Sequence, residues 1–220
     1  MARLGARREQ VALVPSGIDV PAEAPTPAEI DAVLARYELV DRPFFVYPAI
    51  TTRTRTTPPC CTPSPGCCAT GPTPCWCSRA ARRRASPTSG RPPTASASAT
   101  PAPTGPDPRG DLDTLYWAAT GLVFPSRFEG FGLPVLEAMA RRCPVVAAAT
   151  TALPEVVGDA GMLVAPLDAA GWRDAMCTLL DDPALGDRLR AAGVARARAY
   201  GWSRAVDQLC AVYREEVAGL

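Results

Sequence analysis

The chain has no histidine, no lysine and no asparagine in its 220 residues, so every charged basic side chain is an arginine. That excludes an imidazole general base, a histidine-ligated zinc and a lysine held on a phosphate. Arginines and carboxylates nearly balance, 23 against 22, and the net charge of +1 gives no footing for nucleic acid or an anionic membrane. No apolar run approaches the ~18 residues a membrane span needs. The first residues include Arg3, Arg7 and Arg8 but no apolar signal core. The expected compartment is the cytoplasm, with the chain free or peripheral to a membrane. Lysine, asparagine and isoleucine codons are rich in A and T, so their absence or scarcity points to a very GC-rich gene. The length allows one or two domains with a proper core.

A second set of absences is local. From Thr52 to Pro106 there is no Asp, Glu, Val, Leu, Ile, Met, Phe or Tyr, while there are twelve prolines, six cysteines, seven arginines and one tryptophan. Ordering a residue costs about 1–2 kcal/mol in backbone entropy. This stretch has almost no apolar side chain to offset that cost, so residues 51–108 are expected to be disordered. Cys60, Cys61, Cys67, Cys68, Cys75 and Cys77 fit zinc poorly, because zinc sites favour cysteines two to four residues apart in separated pairs. Arg82, Arg83 and Arg84 lack neighbouring aromatics and read as a solvated charge run. A low-complexity linker is the plain alternative to translation out of frame.

What is present is concentrated in Phe124–Ala140, F-P-S-R-F-E-G-F-G-L-P-V-L-E-A-M-A. The apolar run Gly121–Phe124 reads as a strand and stops at Pro125. A glycine-bearing loop follows. Pro134, at the first helical position, opens a helix whose inward stripe runs through Val135, Ala138 and Met139 to Arg142. Strand, glycine loop and helix start together make an anion site. Gly130 and Gly132 let the backbone approach a ligand, and amides near Leu133 and Val135 face it. Glu129 and Glu137 frame the loop. Carboxylates suit sugar hydroxyls, which need acceptors, and do not suit phosphate. A surface loop flanked by unrelated carboxylates is the bland alternative, and the length of the pattern argues against it.

This stretch resembles the E-x7-E motif of retaining, nucleotide-sugar-dependent glycosyltransferases of the GT-B fold, family 4. The resemblance implies that Glu129 contacts the donor sugar as the catalytic-site acid. It implies that the main chain at Gly130, Phe131, Gly132 and Leu133 reaches the sugar and diphosphate, and that Glu137 holds the ribose diol. It implies no protein nucleophile, a leaving diphosphate stabilised electrostatically, and no metal or cofactor beyond the nucleotide-sugar substrate. The wider family suggests GDP-mannose as donor. Residues 11–21, V-A-L-V-P-S-G-I-D-V-P, read as a short strand and a turn with Gly17 at positive φ. They also resemble the entry to the donor-binding half of the same family. An acceptor-binding half would precede that entry, so the chain reads as a donor-binding half, inactive alone, whose partner is a separately encoded acceptor domain. A non-catalytic nucleotide-binding or interaction module is the competing function.

The cysteine-rich segment gains meaning from the GC-rich gene. GC-rich codons for I-T-Y-P-H-K-N-H-A-A-V-L, with one base deleted from the tyrosine codon, read as Ile50 to Cys61 as they stand. Codons for L-L-R-H-R-P-D-A-L-L-V-L-T-G-G likewise read, one frame over, as Cys67 to Ala81. Cysteine and tryptophan codons begin with T, and a middle T encodes an apolar residue. So Cys60, Cys61, Ser64, Cys67 and Cys68 mark lost apolar positions at helical spacing. Cys75, Trp76, Cys77 and Ser78 mark a lost buried strand. The segment reads as translated out of frame, taking with it the lysine that the family sets on the diphosphate.

The expected fold class is α/β, a Rossmann-like parallel sheet with flanking helices corresponding to a GT-B C-terminal domain, interrupted by the disordered segment. Residues 1–50 begin the donor-binding domain as strand, helix and strand. The helix is 28–37 with Thr26 as cap and Pro27 first, and the strand is 44–47. Residues 109–220 complete it. The helix after Arg109 turns Leu112, Leu115, Tyr116 and Ala119 inward, and 143–149 is the next buried strand. Glu155 is a second candidate toward the donor, equally explained as a helix-start carboxylate. The tail is helical, with core stripes at Trp172, Ala175, Met176, Leu179 and Leu180, and at Val206, Leu209, Cys210, Tyr213 and Val217. Ser203 is the expected cap of the last of these helices.

Overall fold

The computed structural model describes residues 11–48, 75–79, 97–100 and 108–218. Six strands make one sheet in the order β3-β2-β1-β4-β5-β6. β1 (Phe44–Tyr47), β4 (Gly121–Phe124), β5 (Val145–Ala148) and β6 (Met162–Val164) run parallel. β1, β4 and β5 are buried at every residue. Strands covered on both faces carry continuous apolar runs, which is how all three read in the sequence.

Seven helices accompany the sheet among the described residues: α1 (Pro27–Arg36), α2 (Pro108–Ala118), α3 (Leu133–Ala140), α4 (Leu153–Val157), α5 (Ala169–Asp181), α6 (Pro183–Arg198) and α7 (Trp202–Ala218). Thr26 caps α1 through a full capping box with Glu29, and Pro27 sits at the start. α2 docks on α1 through a buried carboxylate. Asp111, only 5% exposed, accepts both from Arg36 (2.6 Å) and from the Tyr37 hydroxyl (2.7 Å). Asp182 closes α5 and caps α6 by accepting from the Leu185 amide (2.9 Å), with Pro183 first in the new helix. α3 lies against α6, where a Cβ on Gly193 would come within 3.2 Å of Met139. The core runs through Tyr116, Phe124, Leu136, Met139, Leu153 and Trp172, all fully buried.

Several expectations need correction. The expected parallel sheet with flanking helices is present in β1, β4, β5 and β6, but the stretch expected to be disordered adds two strands at its edge. β2 (Cys75–Arg79) pairs antiparallel with β1, and β3 (Ala97–Thr100) antiparallel with β2. Both fall inside the stretch expected to be disordered. Antiparallel pairing satisfies main-chain groups whatever the side chains are. Pro108, at the end of that stretch, starts α2. The remaining expectations for 51–107, including those on Cys60, Cys61, Cys67, Cys68 and Arg82–Arg84, fall on residues outside those described, as do those on Arg3, Arg7 and Arg8.

No strand forms at 11–21, which has a single bridge, Ile18 to Gly201. Gly17 does not take positive φ. It is small because the Trp202 ring lies on it, where a Cβ would stand 2.3 Å from the ring. α3 begins one residue before Pro134 and ends at Ala140, leaving Arg142 at φ 57. α7 begins at Trp202, so Ser203 is inside the helix rather than at its cap. The α7 stripe is not core: Val206, Leu209, Tyr213 and Val217 are 42–71% exposed.

Candidate active site

The loop between β4 and α3 rests on the turn after β5. Thr150 Oγ1 donates to the Ser126 carbonyl (3.1 Å), and the Glu129 amide donates to Thr151 Oγ1 (3.1 Å). Ser126, 1% exposed, donates its own hydroxyl to the Phe128 carbonyl (3.3 Å). Leu153 closes the bed from below. A Cβ on Gly132 would lie 2.7 Å from Leu153 Cδ2, and Gly132 also takes φ +97. Only glycine satisfies both conditions, so the entry to α3 is fixed by that residue. Gly130 differs: a Cβ there would meet nothing within 4 Å. Its smallness is not set by packing inside the protein.

α3 starts open to solvent. Gly132 caps it without any side-chain bond, and Leu133, the first helical residue, is 39% exposed. One expected donor is not available: the Val135 amide donates back to the Gly132 carbonyl (3.0 Å). Pro134 has no N–H. Gly130 and Leu133 are exposed and Phe131 half-buried, while Gly132 between them is buried. Helix-start amides carry partial positive charge, the complement of a diphosphate. Phe131 also braces the loop against the junction of α6 and α7, where its ring meets the Tyr200 ring edge-on at 5.7 Å.

Both glutamates of the motif are half-buried at this end of the sheet, Glu129 in the loop and Glu137 one turn into α3. Each is already engaged in further contacts. Glu137 lies within electrostatic reach of the Tyr116 hydroxyl, which is raised well above its ordinary value, first by burial and then by that carboxylate. The Tyr116 hydroxyl has no hydrogen-bond partner among the described residues. One turn beyond Glu137, Arg141 donates to the Glu137 carbonyl (3.2 Å) and pairs with Asp113 (2.7 Å).

Asp111 and Asp113 have the Asp-x-Asp spacing of some metal sites, against the expectation that the sequence offers none. Both are committed elsewhere, Asp111 to Arg36 and Tyr37, Asp113 to Arg141. Glu155 lies in the first turn of α4 with its side chain exposed, while its main-chain carbonyl accepts from Arg196. Arg196 also donates to the Val156 carbonyl (2.9 Å) and lies over the Tyr200 ring at 5.2 Å. It closes the C-terminal end of α4, where partial negative charge collects. A neighbouring cleft of about 180 Å³ is lined by Pro15, Ser16, Arg196, Tyr200, Arg204 and Gln208. That is below the roughly 300–1,000 Å³ of a small-molecule pocket. Tyr200 is both its wall and the brace of Phe131.

The residues whose support of the loop the sequence did not reveal are Thr150, Thr151 and Leu153. Their signal, the A-T-T-A-L-P after β5, is visible only once the two loops are seen to touch.

With this geometry in place, similarity decides the family. The profile of the glycosyl transferases group 1 matches residues 104–182, from the approach to α2 to the end of α5. This part of the chain belongs to that family. Residues 104–182 are thus of the glycosyl transferases group 1 kind, in keeping with the resemblance that the motif carries. Similar proteins include D-inositol 3-phosphate glycosyltransferase 1 of Catenulispora acidiphila, 46% identical over 116 residues, covering 52% of this chain and 28% of that protein. O-antigen chain mannosyltransferase B of Escherichia coli is 41% identical over 107 residues, covering 49% of this chain and 28% of that one. Among solved structures, a sucrose-phosphate synthase of Thermosynechococcus elongatus is 34% identical with a TM-score of 0.46, covering 50% of this chain and 29% of that one. The chain thus spans about 28% of the length of the curated relatives it matches. No helix among the described residues is long and apolar enough to cross a membrane.

Proposed function

We propose that the head of α3 binds a nucleoside-diphosphate sugar, and that the enzyme built on this domain transfers the sugar with retained configuration. The observation that carries the reading is the solvent-open helix start, entered through a glycine that nothing else can replace and preceded by the loop amides at 130–132. Those amides meet the diphosphate, and Glu129 and Glu137 accept from donor-sugar and ribose hydroxyls respectively. As negative charge grows on the leaving diphosphate, the amides stabilise it, the Leu133 end of α3 contributing on the order of 1 kcal/mol. No side chain serves as nucleophile in this scheme, and no metal is invoked. GDP-mannose is the donor proposed, in line with a mannosyltransferase among the relatives. The acceptor half is supplied from outside the matched residues, and the isolated chain binds donor without turning it over. The out-of-frame reading of 52–106 belongs to the same proposal, and sequencing the gene and its transcript tests it.

The binding test is calorimetric titration of the chain with GDP, UDP and GDP-mannose. Glu137→Ala is expected to weaken a nucleoside diphosphate and its sugar alike, by about tenfold, or roughly 1.4 kcal/mol. Glu129→Ala is expected to weaken only the sugar-bearing ligand. A chain that binds none of these, or variants that bind like the parent, would overturn the reading. Turnover by the isolated chain that Glu129→Ala abolishes would overturn the inactivity. The competing function is a non-catalytic nucleotide-binding or interaction module. Co-purification with an acceptor-domain chain, with no transfer by the pair, would favour it.

A further inference from the structure

The cleft at the junction of α6 and α7 collects positive charge that the protein does not neutralise. From Arg188 to Arg204 the sequence has five arginines and no acidic residue, in a chain where the two signs nearly balance. Two of the five, Arg196 and Arg204, line the cleft of about 180 Å³, and no Asp or Glu does. Arg204 is exposed and forms no ion pair among the described residues, not even with Asp207 three positions on. Arg196 is fixed in place from behind. Its Nε donates to the Val156 carbonyl (2.9 Å), and its Nη2 donates to the Glu155 carbonyl and to the Tyr200 hydroxyl (3.2 Å). Its Nη1 makes no hydrogen bond among the described residues. The Tyr200 oxygen accepts from Arg196, so its own hydrogen is left to donate.

We propose that this cleft binds a phosphate group, at a site separate from the head of α3. Its donors come from three segments. Ser16 approaches from the chain before α1, Arg196 and Tyr200 from the end of α6 and the turn after it, and Arg204 and Gln208 from the start of α7. Gln208 is half-buried and makes no hydrogen bond among the described residues. Donors from three sides suit a tetrahedral oxyanion, whereas a planar carboxylate is met along one edge. Guanidinium groups match phosphate oxygens in charge and in geometry. The space admits such a group and is too small for a whole nucleotide sugar. Gly201 lines the cleft too, so the positive end of the α7 dipole adds to the two arginines. Ser16 and Arg204 are exposed, and solvent screens charge pairs there. The affinity is therefore modest, a Kd of about 1 mM, and falls as salt rises. Nothing in this inference depends on the sugar-transfer reading.

The test is titration of the full, isotope-labelled chain with inorganic phosphate at constant ionic strength, followed through its amide resonances. Saturable shifts are expected at Gly201, Arg204, Ala205 and Gln208. Arg204→Gln removes one charge from an exposed position with no ion pair to break. Its unfolding midpoint should stay as in the parent, while phosphate binds about tenfold more weakly, a loss of roughly 1.4 kcal/mol. Vesicles then separate the two sources of such a group. Cosedimentation with vesicles of phosphatidylcholine and phosphatidic acid, lost in Arg204→Gln, assigns the phosphate to a lipid headgroup. Binding of free phosphate without cosedimentation assigns it to a soluble ligand, and both results support the site. Shifts confined to residues 130–133 would overturn the proposal while leaving the head of α3 as an anion site. A cleft without saturable shifts overturns it too, as does an Arg204→Gln chain that binds phosphate like the parent.

Discussion

α3 and α7 give similar messages in the sequence and opposite ones in the fold. Each is a helix with an apolar stripe. In α3 the stripe is swallowed: Val135, Leu136, Ala138 and Met139 are all fully buried between the sheet, α6 and the turn after β5. In α7 the stripe faces outward along most of its length. The difference lies in the neighbours. α3 follows a buried parallel strand and is met by Gly193 of α6, a residue small enough to let the helices close. Among the described residues, α7 has one such glycine, Gly17, at its first turn and nothing equivalent further along. Helical periodicity announces that a face is to be covered, and says nothing about what covers it.

Alkali should break that contrast most completely, because the strongly shifted titratable groups flank the buried side. Burial pushes the Cys143 thiol, next to α3, from its ordinary 9.0 up to about 12. Tyr116 is raised well above its ordinary value by burial and then by Glu137. Tyr37 is raised by burial and by its hydrogen bond to Asp111. Each group keeps its proton in the fold at a pH where the unfolded chain has released it. Their contribution is therefore complete below about pH 9 and is lost as pH climbs through the folded values. The urea midpoint should be level from pH 7 to 8.5 and fall steadily from 9 to 12, on the scale set by these shifts. A midpoint that holds above pH 10 would show that these groups are not sealed as described.

Truncation of one leucine in each helix gives the next largest separation. Leu136→Ala empties a fully buried site and should cost about 3 kcal/mol in urea unfolding. Leu209→Ala removes a side chain 42% exposed and should change monomer stability by less than about 0.5 kcal/mol. Equal costs would mean that α7 is buried in solution, and that the contrast between the helices is false.

The same reasoning explains what could be read from the residues alone. The strands β1, β4 and β5 were legible because a buried parallel strand is an apolar run bounded by turn residues. α1 was legible down to its cap, since Thr26 and Pro27 spell out a helix start locally, and the structure adds Glu29 to complete the capping box. The site was legible where its chemistry is contiguous, from Glu129 to Glu137. It was not legible where it depends on contact between distant segments. Thr150, Thr151 and Leu153 hold the motif loop from the next turn of the sheet, and no local pattern marks them for that role. The direction of β2 was hidden for a related reason: strand pairing is chosen by geometry across the sheet, and the side chains of this stretch carry no apolar pattern to select it. Gly17 shows a subtler failure, since a glycine demanded by a tryptophan from α7 looks the same in sequence as one demanded by a turn.

The two loop glycines supply the finest test, because they separate folding from binding within three residues. Gly132 is required by the fold: φ +97 strains any other residue, and the added carbon would press on Leu153. Gly132→Ala should therefore cost roughly 1–3 kcal/mol of stability and take ligand binding with it. Gly130 has neither constraint, so Gly130→Ala should leave the unfolding midpoint within about 0.5 kcal/mol of the parent. Its space lies on the open side of the loop, where the proposed diphosphate would approach. Loss of GDP-mannose binding in Gly130→Ala without loss of stability would place the ligand against that backbone. Unchanged binding would move the ligand elsewhere, even though the fold around Gly132 stayed as described.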